Sequence, residues 1–208
     1  MASRGSWPMI RKHGLLSSSK LVELFEVPEP RRTELLSTQR KQSETICHPE
    51  HGTATLRDQK PLSAKNLDRC LRGCDPAGWY RILNERVFFW LDRERLITLM
   101  SAAEYADKTH TVLQIDSAGI VERYADQIEL AHMNTGNTRP FPHPRGPDTF
   151  RCMEDYDYQN RRKLTDYRSV VELTVIGGVA EIHRYVTRVE HASMSGGAYA
   201  TTEVLSAK

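Results

Sequence analysis

The feature that most constrains this chain is the shortness of its apolar runs. The most hydrophobic stretch, Val87-Phe88-Phe89-Trp90-Leu91, is five residues long. A membrane helix needs about 20 consecutive apolar residues, so no segment is expected to span a bilayer. A run of five that is rich in aromatic side chains reads as a buried central strand. The core must therefore be assembled from many short elements, and the expected fold class is α+β, with small sheets and helices near the N-terminus and in mid-chain. With 208 residues, of which 39% are apolar, the chain has material for one core but not two. A single domain over residues 1–191 is expected. A loose tail should follow over 192–208, where the composition turns to Ala, Ser, Gly and Thr.

Caps and breakers divide the chain further. Ser6, Pro8 and Gly14 bracket a first helix, and Ser17-Ser18-Ser19 opens a second with Leu21, Leu24 and Phe25 on one face. Arg31 to Gln39 reads as a third. Thr45-Ile46-Cys47 and Thr53-Ala54-Thr55-Leu56 flank a five-residue Pro/Gly turn and read as a hairpin. Ser63, Asp75 and Asp92 cap three more helices, and Asp116 a short one. Thr111–Ile115, Ile128–Leu130, Ser169–Val175 and Tyr185–Val189 read as strands, the last two as neighbours. The net charge of +2 excludes a global field for nucleic acid or an anionic membrane. It leaves local patches at Arg31-Arg32, at Arg161-Arg162-Lys163 and on the Arg139/Arg145 loop. Trp7-Pro8-Met9-Ile10 runs straight into Arg11-Lys12, so no signal peptide is read, a cytoplasmic location is expected, and Cys47, Cys70, Cys74 and Cys152 should be thiols.

No self-sufficient catalytic motif is present: there is no nucleophile elbow, Walker loop, dinucleotide fingerprint or His-Glu-x-x-His. Cys47-His48-x-x-His51 with Cys70-x-x-x-Cys74 offers zinc-type ligands, but without knuckle spacing. Buried free cysteines on a helix face and an ordinary turn explain the same residues better, so no metal is expected. Residues 134–149 form a long run of Asn, Thr, Gly and Pro, and a loop of that length inside a domain is functional or disordered. Asn134, Thr135, Asn137 and Thr138 supply hydrogen-bonding side chains, and Gly136 permits close backbone approach. Arg139 and Arg145 suit a phosphate. Glu172 interrupts an apolar strand. Strand alternation turns it and Thr174 away from Val171, Leu173 and Val175, so a solvated face is the plainer reading and a rigid catalytic carboxylate the sharper one.

Four motifs in order resemble a family of uncharacterised bacterial proteins. They are Trp7-Pro8-x-Ile10-x-x-His13-Gly14-Leu15-Leu16-Ser17, Trp79-Tyr80 through Val87-Phe88-Phe89-Trp90-Leu91, Asn134-Thr135-Gly136-Asn137-Thr138-Arg139, and Arg145-Gly146-x-Asp148-Thr149-Phe150. A fainter similarity links the Ile10-x-x-x-Gly14-Leu15-Leu16 start, the aromatic strand with its following arginines, and Val171-Glu172-Leu173-Thr174-Val175 to the DNA-targeting (DarT-like) ADP-ribosyltransferases. That resemblance implies a compact ADP-ribosyltransferase-like fold with NAD as co-substrate and Glu172 as the catalytic residue. It implies Arg93 as the NAD contact, with Arg95 able to substitute, and transfer of ADP-ribose to nucleic acid or protein. The loop carrying Asn134, Thr138 and Arg139 would then close over the dinucleotide or select the acceptor, with NAD bound between the Phe88–Trp90 strand and the Glu172 strand. Those transferases carry a polar residue on a strand ahead of the first helix; here Met1 falls at that point, and no such strand is expected. A non-catalytic module that keeps the fold and binds nucleic acid or protein is the alternative.

Overall fold

Short side chains start the helices largely where the sequence places them. In the computed structural model, which describes residues 1–159 and 170–207, the chain opens with β1 (Ala2–Ser3), α1 (Trp7–His13), β2 (Leu15–Leu16), α2 (Ser18–Leu24) and α3 (Arg31–Ser37). The hairpin β3 (Glu44–His48) and β4 (Gly52–Leu56) follows, then α4 (Ala64–Cys70), α5 (Pro76–Asn84), β5 (Arg86–Trp90) and α6 (Arg93–Met100). Next come β6 (His110–Ile115), α7 (Ser117–Tyr124), β7 (Ile128–Ala131) and β8 (Arg151–Cys152). The chain ends with β9 (Glu172–Ile176), β10 (Gly178–Val179), β11 (Val186–Ser195) and β12 (Ala198–Ala207). The fold is thus mixed α+β, with seven helices and several small sheets among the described residues. Ser17, Asp75, Asp92 and Asp116 each accept a backbone N–H from the first turn of their helix. Ser6 sits at the cap of α1 but turns its hydroxyl back to the Ser3 carbonyl at 2.7 Å.

Backbone contacts divide the chain into two interleaved units. The first comprises Met1–Leu15, Trp90–Ala125 and Val179–Lys208. Its sheet runs β1-β6-β11-β12 and is antiparallel throughout. Met100, Val112 and Ala192 form a core beneath it, with Leu96, Met194 and Tyr199 packed alongside. Three expectations are corrected here. The loose tail is a strand: β11 turns through Gly196 (φ 57°) and Gly197 (φ 81°) into β12. Two successive left-handed residues are what a two-residue hairpin requires, and glycine adopts them without strain. The neighbour of β11 is β6 rather than the Glu172 strand. Finally, a strand does precede α1, since Ala2 and Ser3 pair with Thr111 and His110.

The second unit comprises Leu16–Phe89 and Asp126–Gly178. Trp79, Tyr80 and Leu83 of α5 pack with Leu62, Leu67, Cys70, Ala131 and Phe150 into one core. The sheet order is β5-β9-β7-β8, so the aromatic run lies at an edge rather than in the centre. Only Val87 of β5 is buried, and Phe88 is 38% exposed. Its bulk is used locally instead: Phe88 and Trp79 both contact the Phe150 ring, over which the Arg86 guanidinium lies at 4.4 Å. Arg86 also reaches Glu129 on β7 at 2.6 Å, tying the edge to the sheet's interior.

Candidate functional site

Glu172 stands at the start of β9, opposite Ala131 at the end of β7. Both faces of this strand are covered, so alternation gives no solvated side: Glu172 is 3% exposed and Thr174 is fully buried. This corrects the expected solvated face. A carboxylate removed from water needs donors, and the loop leaving β7 supplies them. The Thr135 N–H is shared between the two carboxylate oxygens at 3.3 and 3.2 Å, and its hydroxyl donates to Oε2 at 2.7 Å. On the other side of the same residue, Arg145 Nη1 donates to the Thr135 carbonyl at 2.9 Å. A buried anion and a buried cation are therefore joined through one residue.

Arg145 is itself 3% exposed, which corrects its expected role as a phosphate ligand. Its Nε donates to the His143 carbonyl at 3.1 Å, so its donors serve its own loop. Burial pulls its guanidinium below the ordinary arginine range, while Cys70 and the Glu172 carboxylate pull the other way. The backbone is clamped as well. Arg145 N–H donates to the Cys70 carbonyl and Arg72 N–H to the Arg145 carbonyl, at 3.0 and 2.8 Å. Gly146 passes so close to this segment that a Cβ would lie 1.9 Å from the Arg72 carbonyl oxygen.

Thr138 closes the near end of the loop. It is buried, its hydroxyl accepts the Ser63 N–H at 2.8 Å, and its carbonyl accepts Asn66 Nδ2 at 2.9 Å. Thr138 thus anchors the loop, whereas Asn134 and Arg139 are exposed. Among the predicted site residues, the structure brings Glu172, Asn134, Thr138 and Arg139 into the second unit. Arg93 and Arg95 belong to the first. There the Arg93 guanidinium lies over the Tyr199 ring at 4.5 Å.

One pairing and one group of residues are not legible in the sequence. The first is the pairing of Thr135 with Arg145: both are loop candidates by residue type, but nothing in the sequence joins them. The second is a buried carboxylate in the first unit, Glu190. It accepts Tyr199 Oη at 2.5 Å, Arg188 Nε at 2.7 Å and Thr201 Oγ1 at 3.1 Å. Burial pushes this carboxyl up, but the three hydrogen bonds outweigh it and hold it below the ordinary carboxylate value. Its signal lay in the residues read as tail.

The other candidates separate. His48 and His51 stack on one another at 4.5 Å beside Phe25, while Cys70 and Cys74 belong to the helical core. Among the described residues no group of three or more His, Cys, Asp or Glu side chains is placed to hold a metal ion. Arg31 bridges Glu34 and Glu44, both at 2.7 Å, and so is already neutralised. The Arg161-Arg162-Lys163 patch lies outside the described residues.

A family model described as a family of unknown function, DUF7002, matches residues 1–186. The chain belongs to that family. No curated protein and no solved structure matches it. Among the described residues of this DUF7002 chain, no helix is long and apolar enough to cross a membrane.

Proposed function

We propose that the protein is an ADP-ribosyltransferase-like enzyme that binds NAD and transfers ADP-ribose to a nucleic-acid or protein acceptor, with Glu172 as its catalytic carboxylate. The observation that carries this reading is the Glu172 environment: a carboxylate on a strand, withdrawn from water, and turned by two donors of a single residue. Buried carboxylates held by dedicated donors are enriched at functional sites. The chemistry suits it. As the nicotinamide–ribose bond breaks, positive charge develops at the anomeric carbon, and a fixed carboxylate stabilises that charge. The acceptor's hydroxyl or amine then bonds to this carbon, its proton passes to the carboxylate, and nicotinamide leaves. Within the same unit, the exposed Asn134 and Arg139 would contact the dinucleotide, Arg139 pairing with its diphosphate.

A second reading, a non-catalytic module that binds nucleic acid or protein, is favoured by a different observation. Phe141, between two prolines at the tip of the loop, is 77% exposed and follows the exposed Arg139. An aromatic anchor beside a cation suits either class of partner. Incubation with labelled NAD and mixed acceptors, comparing the wild type with Glu172→Gln, separates the two. Label transferred by the wild type and lost in Glu172→Gln supports the enzyme. If the wild type neither binds nor consumes NAD, the module reading replaces it.

A further inference from the structure

We propose that Thr135 and Arg145 are the positioning residues of Glu172, Thr135 by direct contact and Arg145 through Thr135; the inference rests on the catalytic reading of Glu172 given above. Three observations carry it. First, the loop does not need the Thr135 contacts in order to stay in place. Thr138 fixes one end to Ser63 and Asn66, and the Arg145 backbone fixes the other to Cys70 and Arg72. Second, the Thr135 contacts are two-dimensional: an N–H shared between both oxygens and an O–H on Oε2 together define the carboxylate plane. Third, a buried guanidinium is assigned to the carbonyl of that same residue. This holds Thr135 in the orientation that aims its donors at Glu172.

A carboxylate that must meet a developing cation gains from such pre-orientation, since a displacement of about 1 Å can cost on the order of 100-fold in rate. The chain Arg145–Thr135–Glu172 provides it, with the anion-facing side of Thr135 on the carboxylate and its acceptor side on the cation.

The test uses the full chain with 13C-labelled glutamate and compares wild type, Thr135→Val and Thr135→Ser. Removing a hydrogen bond to the ionised form disfavours that form. Thr135→Val should therefore move the Glu172 titration midpoint upward. It should also lower kcat for NAD consumption roughly 10- to 100-fold, shift the acid limb of the pH–rate profile in the same direction, and leave KM within about twofold. Thr135→Ser, which keeps the hydroxyl, should restore all of these. The proposal is overturned if Thr135→Val titrates like the wild type, or if serine fails to restore what valine removes. If no variant consumes NAD, the transferase reading falls, and the titration alone still decides whether Thr135 governs the carboxylate.

Discussion

The Glu172–Thr135 contact can be measured without any knowledge of substrate, through a double-mutant cycle on stability. Thr135→Val keeps the side-chain shape and the backbone N–H but removes the hydroxyl donor at 2.7 Å from Oε2. A hydrogen bond to a charged group contributes about 1.5–3 kcal/mol, and leaving a buried acceptor short of a donor adds to the loss. The single variant should cost about 2–3 kcal/mol. Glu172→Gln removes the charge while keeping an acceptor oxygen, and it places an amide NH2 against the Thr135 donors; a cost of about 3 kcal/mol is expected from disrupting a buried charged contact. In the double variant the hydroxyl bond is already absent, so the two costs should not add. The coupling energy should come to about 1.5–3 kcal/mol. Urea unfolding followed by circular dichroism measures it, provided the slope against denaturant is unchanged across the four proteins. A coupling within about 0.5 kcal/mol of zero, the range seen for independent sites, would refute the claim that the two residues act as a unit.

Two further outcomes follow from the same geometry. Gly146→Ala places a Cβ 1.9 Å from a backbone oxygen, so the Cys70–Arg72 clamp must open; thermal unfolding should show a loss of about 3 kcal/mol or more, as for other severe backbone clashes. Glu190 is held below its ordinary value of 4.5 in the folded state, so its contribution is present above that value and disappears as the pH falls through the folded one. Tyr199→Phe removes one donor, and the stability gap between it and the wild type should be full near neutrality and close on acidification. A gap independent of pH from neutrality to about pH 3 would show that the Tyr199 hydroxyl does not act through ionised Glu190.

How much of this was legible in the sequence depended on the range of the signal. Helix starts were readable because a capping side chain and its N–H lie two or three residues apart, as for Ser17 with Lys20 and Asp75 with Gly78. Hairpin β3–β4 was readable for the same reason, although its turn closes more tightly than expected, with His48 paired to Gly52. Sheet order was not readable. The hydrophobicity of Val87–Leu91 points to a central strand, but β5 lies at an edge, where Phe88 stays partly exposed with one side of its ring against Phe150. The last strand is hidden in a composition of Ala, Ser and Thr that reads as tail. The Gly196-Gly197 pair and the β-branched residues after it were the hairpin signal, and they were outweighed by composition.

At the site, what the sequence lacked was the burial of both strand faces. Alternation correctly separated Glu172 from Val171 and Leu173, yet that pattern says nothing about what covers the second face. Here the cover is the 134–149 loop, brought there by contacts between residues far apart in the chain, such as Thr135 with Glu172 and Arg145 with Cys70. The loop's own composition then acquires a meaning. Threonine at 135 gives two donors from one residue, threonine at 138 closes the near clamp, and glycine at 146 admits the far clamp. The buried Arg145 sets a positive charge one residue away from the carboxylate without touching it. Thr135 stands between the two, its donors on the carboxylate and its carbonyl on the guanidinium. That separation, more than the presence of a glutamate on a strand, is the physical reason to look for chemistry at Glu172.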